Sequence, residues 1–152
     1  MTPRIDATNY IKSGLGKAML ALQREVETSG LEHSLMELVK IRASQINGCA
    51  YCLDMHTKDA RALGETEQRI YALSAWREAP FYTDAQRAAF ELAETMTRQA
   101  DRGEVVSDEL WTELTKYYEE KQLAGLVFWI ATVNFYNRIN AAVQTPAGAK
   151  WN

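Results

Sequence analysis

The segment from about Glu120 to Ala142 narrows the choice of folds more than any other. Leu123, Leu126, Val127, Phe128, Trp129, Ile130, Val133, Phe135 and Ile139 set apolar side chains around nearly the whole circumference of a helix. A helix without a polar face has to be covered, either at the centre of a core or between subunits. Its most apolar run, Leu123 to Val133, is too short to span a bilayer, which takes about 20 residues. Asn134, Asn137 and Arg138 interrupt it immediately afterwards.

The rest of the chain is read with the same period. Ile11, Leu15, Ala18, Met19, Leu22 and Val26 form a helical stripe, weakened at its start by Gly14 and Gly16. Gly30 breaks the chain. Leu35, Leu38, Val39, Arg42 and Ile46 resume the period until Asn47-Gly48, and a further helix runs from about Cys49 to Leu63, with Gly64 as its C-terminal cap. Thr66 caps a short helix carrying Ile70, Tyr71 and Leu73. After a break at Pro80, Asp84 starts a helix whose face is Ala89, Leu92, Ala93, Met96 and Ala100, ending at Gly103. Ser107 is the N-cap for Leu110, Leu114, Tyr117 and Tyr118. No strict alternation competes, so the expectation is an all-α single domain over residues 1–152. The tail, TPAGAKWN, reads as irregular.

A chain of 152 residues is long enough to bury a core of its own. The net charge of −3 and the scattered basic residues give no concentrated cationic surface for nucleic acid. The N-terminus, MTPRIDATNY, lacks the basic-then-apolar run of a secretory signal. A soluble, cytoplasmic protein without membrane or nucleic-acid partners is therefore expected. In a reducing compartment a CxxC pair is more often catalytic, redox-sensing or metal-binding than a structural staple.

That pair lies in INGCAYCLDMH, residues 46 to 56, which holds both cysteines, Cys49 and Cys52, and one of two histidines, His56. At roughly 100° per residue the three share an arc of about 60° on one helix face. Ala60 and Leu63 continue that face, which points the cluster inward. A helix N-terminus favours the thiolate through its unpaired N–H groups. Three readings stand side by side. The cysteines can be small buried hydrophobes beside a core histidine. They can be zinc ligands with His56, although tetrahedral zinc needs a fourth ligand such as Glu37. They can be a redox dithiol, which uses every member of the cluster.

The upstream segment makes the pattern specific. ELVKIRASQINGCAYCLDMH reads Glu-x11-Cys-x2-Cys-x3-His, with Glu37 twelve positions before Cys49. This resembles the active-site motif of the AhpD-like alkylhydroperoxidases of the carboxymuconolactone decarboxylase superfamily. DMHTKDARALGET, YTDAQRAAFELAE and WIATVNFYNRIN are similar to the same family, so the likeness runs from about residue 30 to residue 143.

The resemblance implies an AhpD-like helical bundle that reduces organic hydroperoxides through a dithiol/disulfide cycle. Cys52 would attack the peroxide. Cys49 would supply a proton and resolve the sulfenate, and Glu37 and His56 would relay protons. It implies no bound cofactor and no metal, an external dithiol reductant of lipoyl or thioredoxin type, and a homo-oligomer, trimer or hexamer. Some members carry histidine between the cysteines where this chain has Tyr51, a poor base at neutral pH. The decarboxylase branch lacks the CxxC pair. Asn134, Asn137, Arg138 and Asn140, with Tyr51, are candidate pocket residues, and satisfying buried carbonyls or a subunit contact accounts equally well for the four on the last helix. Alternatives are a thiol–disulfide oxidoreductase or redox sensor without peroxide turnover, and a non-enzymatic oligomeric binding protein. Residue by residue, Ser34-x-x-Glu37 also fits a capping box, and Glu37 can pair with Lys40. His33 has no role in the motif and reads as a helix-start surface residue.

Overall fold

The computed structural model describes residues 2–5, 12–101 and 106–149. The expectations placed on Ile11, Gly103 and the last three residues of the tail lie outside these residues. Among the described residues there are seven α-helices and no strand. They are α1 (Gly14–Glu27), α2 (His33–Asn47), α3 (Ala50–Ala62), α4 (Glu67–Ala72), α5 (Asp84–Thr97), α6 (Asp108–Leu114) and α7 (Glu120–Val143). Short 3₁₀ turns follow α4 (Leu73–Ala75) and α5 (Gln99–Asp101). No helix among the described residues is long and apolar enough to cross a membrane.

The caps explain most boundaries. Thr66, Thr83 and Ser107 each accept a backbone N–H in the first turn of the helix they precede. Thr83 and Gln86 complete a reciprocal capping box. The capping box expected at Ser34–Glu37 does not form. Glu32 is the N-cap residue of α2, and Ser34 Oγ donates to its carboxylate at 2.9 Å. Glu37 is thereby left for tertiary partners. His33 is exposed at the helix start, as read from the sequence. The helix expected through Tyr118 stops at Leu114. Tyr118 instead turns in and donates its hydroxyl to the Ala85 carbonyl at 2.8 Å.

The hub of the fold is α2, which packs against α3, α5 and α7. Its side chains Leu38, Val39, Ile41 and Ala43 are fully buried. Glu37, Arg42 and Ser44, the polar residues that make its sequence look amphipathic, are buried too. Each has a partner: Glu37 meets His56, Arg42 meets Glu94, and Ser44 meets Asn137. Burial of such groups requires this pairing. Glu94 lies at the centre of the largest ion-pair network, accepting from Arg42, Trp76, Arg77 and Arg98.

The apolar helix α7 occupies a flank. Leu126, Trp129, Ile130 and Val133 face the core, whereas Phe128, Phe135 and Ile139 are exposed. The stripe on α1 is likewise open: Val26 is buried, but Leu15 and Leu22 are exposed. Against Ser29, at the turn after α1, α7 brings Gly125 so close that a Cβ there would overlap the serine side chain.

Candidate active site

The turn between α2 and α3 is only two residues long. Gly48 ends α2 with φ +67°, the left-handed conformation that glycine adopts without cost, and its N–H reaches the Ser44 carbonyl. Cys49 follows as the N-cap residue of α3. The two helices then pack side by side, which brings Glu37 on α2 against His56 on α3.

Cys49 and Cys52 are joined as a disulfide, with Cα atoms 5.3 Å apart. The first free N–H of α3 that meets the pair, that of Cys52, donates to Cys49 Sγ at 3.3 Å. The helix terminus therefore serves the Cys49 sulfur. Cys52 stands on the wall of a cleft of about 590 Å³, which Cys49 does not line. Both sulfurs are shielded, with Cys49 3% and Cys52 1% exposed, so chemistry at the pair has to come through that cleft or lift a covering side chain. Met55, on the cleft wall, and Ala149 pack against the cluster of Cys49, Tyr51 and Cys52. The tail is held there by the Gly148 N–H donating to Asp54 Oδ2 at 3.0 Å.

His56 also lines the cleft. Its Nδ1 lies 3.0 Å from Glu37 Oε2. Glu37 Oε1 forms an ion pair with Lys40, whose ammonium sits 4.8 Å from the centre of the Trp129 ring. The Glu37–Lys40 pairing read from the sequence is therefore present, but it is nearly buried. Burial pushes the Glu37 carboxyl up, yet the His56 hydrogen bond and the Lys40 and His56 charges outweigh it and hold the pKa below the usual value. An ionised Glu37 fixes the proton of His56 on Nδ1 and leaves Nε2 as the basic nitrogen.

Tyr51 lines the cleft as well. Burial, with the charges of Asp59 and Asp54, pushes its pKa up to about 12. It is a neutral hydrogen-bonding group at any ordinary pH, and its hydroxyl donates to Met55 Sδ at 3.7 Å.

Asn134, Asn137 and Arg138 are not on the cleft wall. The pocket expected for them is replaced by a brace. Asn47 Nδ2 donates to both Asn134 Oδ1 and Asn137 Oδ1 at 2.9 Å, Asn137 Nδ2 donates to Ser44 Oγ, and Asn134 Nδ2 donates to Thr97 Oγ1. Arg138 Nη1 reaches back to Asn134. These bonds fasten the end of α2, one residue before Gly48, to α7 and α5. They set the position of the cysteine turn.

Of the four polar residues read on the last helix, Asn140 does line the cleft, and Asp59 lines it without having been read from the sequence. Asp59, Glu37 and His56 each bring one potential ligand atom within 4.8 Å of the others. The Lys40 ammonium already supplies a cation to Glu37 there. The zinc set read through Cys49 and Cys52 is incompatible with the disulfide, because its sulfurs are not thiolates. Asn140, four residues beyond Tyr136, follows the spacing that puts Trp129, Val133 and Tyr136 on the cleft wall, so helical periodicity pointed to it.

Fold and site define an all-helical protein with a CxxC pair at a helix N-terminus beside a carboxylate–histidine pair. The chain belongs to the carboxymuconolactone decarboxylase family, whose model matches residues 14–95, and it has the AhpD-like fold of the CxxC-containing members. It is 41% identical to the uncharacterized protein YdfG of Bacillus subtilis over 150 residues, 99% of this chain and all of that one. A protein of unknown function from Agrobacterium tumefaciens, proposed as the antioxidant defence protein AhpD, superposes with a TM-score of 0.87 at 36% identity, covering 98% of this chain and 100% of that chain. The debrominase Bmp8 superposes with a TM-score of 0.77 at 25% identity, covering 89% of this chain and 72% of that one.

Proposed function

We propose that the protein is a thiol-dependent peroxidase for organic hydroperoxides. The observation that carries this reading is the Cys52 sulfur on the wall of a mostly apolar cleft, with the Glu37–His56 pair beside it. The Cys52 thiolate attacks one peroxide oxygen, forming an S–O bond as the O–O bond breaks. His56 Nε2 takes the proton of the Cys52 thiol and, through a bridging water, returns it to the departing alkoxide. Cys49 then attacks the sulfenic sulfur, the S–S bond forms and water leaves, which also protects Cys52 from over-oxidation. Two thiols are oxidised and the hydroperoxide becomes an alcohol and water.

An external dithiol closes the cycle, and lipoyl- and thioredoxin-type carriers both fit that chemistry. Attack on Cys52 through the cleft releases Cys49 as the leaving thiolate, where the α3 N-terminus receives the charge. The cysteines carry the electrons, so the cycle requires no resident cofactor or metal. The exposed Phe128, Phe135 and Ile139 of α7 support a subunit contact in a homo-oligomer, trimer or hexamer. Turnover of an alkyl hydroperoxide with a dithiol reductant tests the reading, and Cys52→Ala abolishes it. Wild-type turnover in Cys52→Ala contradicts the assignment. If sulfenate formation is slow and disulfide exchange fast, the protein is a thiol–disulfide oxidoreductase instead.

The aromatic walls of the cleft, Trp129 and Tyr136, and the likeness to Bmp8 favour one second reading. The same dithiol can reduce a halogenated aromatic ring, becoming a disulfide as halide leaves and a proton replaces it. Halide release from a bromoaromatic, without peroxide consumption, would select that reading.

A further inference from the structure

The helix terminus gives its N–H to Cys49, which leaves the question of what stabilises a thiolate on Cys52. The side chain that approaches Cys52 is Asn140, which projects from α7 into the cleft. Its Nδ2 lies 3.8 Å from Cys52 Sγ and also donates to the Tyr136 carbonyl at 3.0 Å. A carbonyl oxygen only accepts, so the Tyr136 bond fixes which end of the amide is nitrogen. One N–H is spent on that carbonyl, and the second is turned to the sulfur. The rotamer is held from within α7, and α7 is anchored by the Asn47–Asn134–Asn137 bonds to the helix that carries the cysteine turn.

We propose that Asn140 is a catalytic residue that holds the Cys52 sulfur in its thiolate form by donating its second amide proton. The proposal rests on the reading that Cys52 is the reacting thiol. A donor aimed at a sulfur favours its charged form and depresses the thiol pKa. The two cysteines then have separate donors: a backbone N–H for Cys49, as leaving group on reduction, and a side-chain amide for Cys52, as nucleophile on oxidation. The division lets one sulfur be activated without the other.

The test measures the thiolate directly and needs no peroxide. In a Cys49→Ser background, the rate of Cys52 alkylation by iodoacetamide is followed against pH, with Asn140 intact and replaced. Asn140→Ala is expected to move the inflection upward by about one pH unit, a loss of about tenfold in alkylation rate below it. Asn140→Asp, which puts a negative charge where the donor was, moves it further. Alanine is the best helix former, so α7 keeps its structure, and a thermal melt verifies this. A purely structural Asn140 would lower the melting temperature and leave the inflection in place. An unmoved inflection in both folded variants overturns the proposal. A moved inflection in a protein that does not consume hydroperoxides would support Asn140 and refute the peroxidase reading, so the two fail separately.

Discussion

Replacing Glu37 with glutamine probes the proton relay at its base. The carboxylate bonds to His56 Nδ1 at 3.0 Å with one oxygen and pairs with Lys40 through the other. Glutamine keeps an acceptor for one partner but turns an N–H₂ toward the other and removes the charge. What is lost is the stabilisation of an imidazolium that forms during proton transfer. A hydrogen bond to a charged group contributes about 1.5–3 kcal/mol. At about 1.4 kcal/mol per factor of ten, the rate of peroxide reduction falls by about 10- to 150-fold. The fold should tolerate the change, because the amide carbonyl still accepts from Lys40 and Lys40 keeps the Trp129 ring beside it. The assay is single-turnover oxidation of the reduced protein by an alkyl hydroperoxide under stopped flow, paired with a thermal melt. An unchanged rate with a large drop in melting temperature would refute the relay and make Glu37 a structural residue.

Other consequences follow from the same contacts. The Glu94 carboxyl, though burial raises it, is brought down to about 2 by hydrogen bonds from Arg77, Trp76 and Arg42 and by the Arg42 charge. A carboxylate depressed in the folded state stabilises above its unfolded value of 4.5 and loses that contribution as pH falls toward 2. The full difference corresponds to about 3 kcal/mol, and screening by solvent around Arg77 and Arg98 cuts it to about 1–2 kcal/mol. Denaturant unfolding should show this slope between pH 4.5 and 2 in the wild type, and Glu94→Gln should flatten it. Gly125→Ala overlaps the Ser29 side chain and costs about 1–3 kcal/mol, read as a lower denaturation midpoint; an unchanged midpoint would refute the close approach of α7 to the turn after α1. Cys49→Ser leaves the Cys52 sulfenate unresolved, so peroxide should drive it to the sulfinic acid, a gain of two oxygens by mass; a thiol that stays unmodified would contradict Cys52 as the attacking residue.

Much of the fold was legible because helix ends announce themselves locally. Thr66, Ser107 and Gly48 mark boundaries by chemistry that needs no tertiary partner. The centre of the fold was not legible in the same way. Periodicity required α7 to be covered, by the core or by another subunit, but gave no sign that within the chain α2 is the more deeply buried, because its polar residues are neutralised by partners far along the chain. Arg42 finds Glu94 52 residues away, and Ser44 finds Asn137 93 residues away. No local pattern encodes such pairs. The site divides similarly. Cys49, Cys52 and His56 share one helix face by spacing alone, whereas Glu37 depended on the resemblance until the α2–α3 packing brought it to His56. Asn134, Asn137 and Arg138 look like pocket residues on an apolar helix. They serve instead to fasten the cysteine turn, a difference that only the position of Asn47 reveals.

The most direct measurement is the mass of the intact, reduced protein after anaerobic treatment with a small excess of an organic hydroperoxide. The account predicts a loss of two hydrogens within seconds, mapped to a Cys49–Cys52 disulfide. An unchanged mass with both thiols still titratable would contradict it.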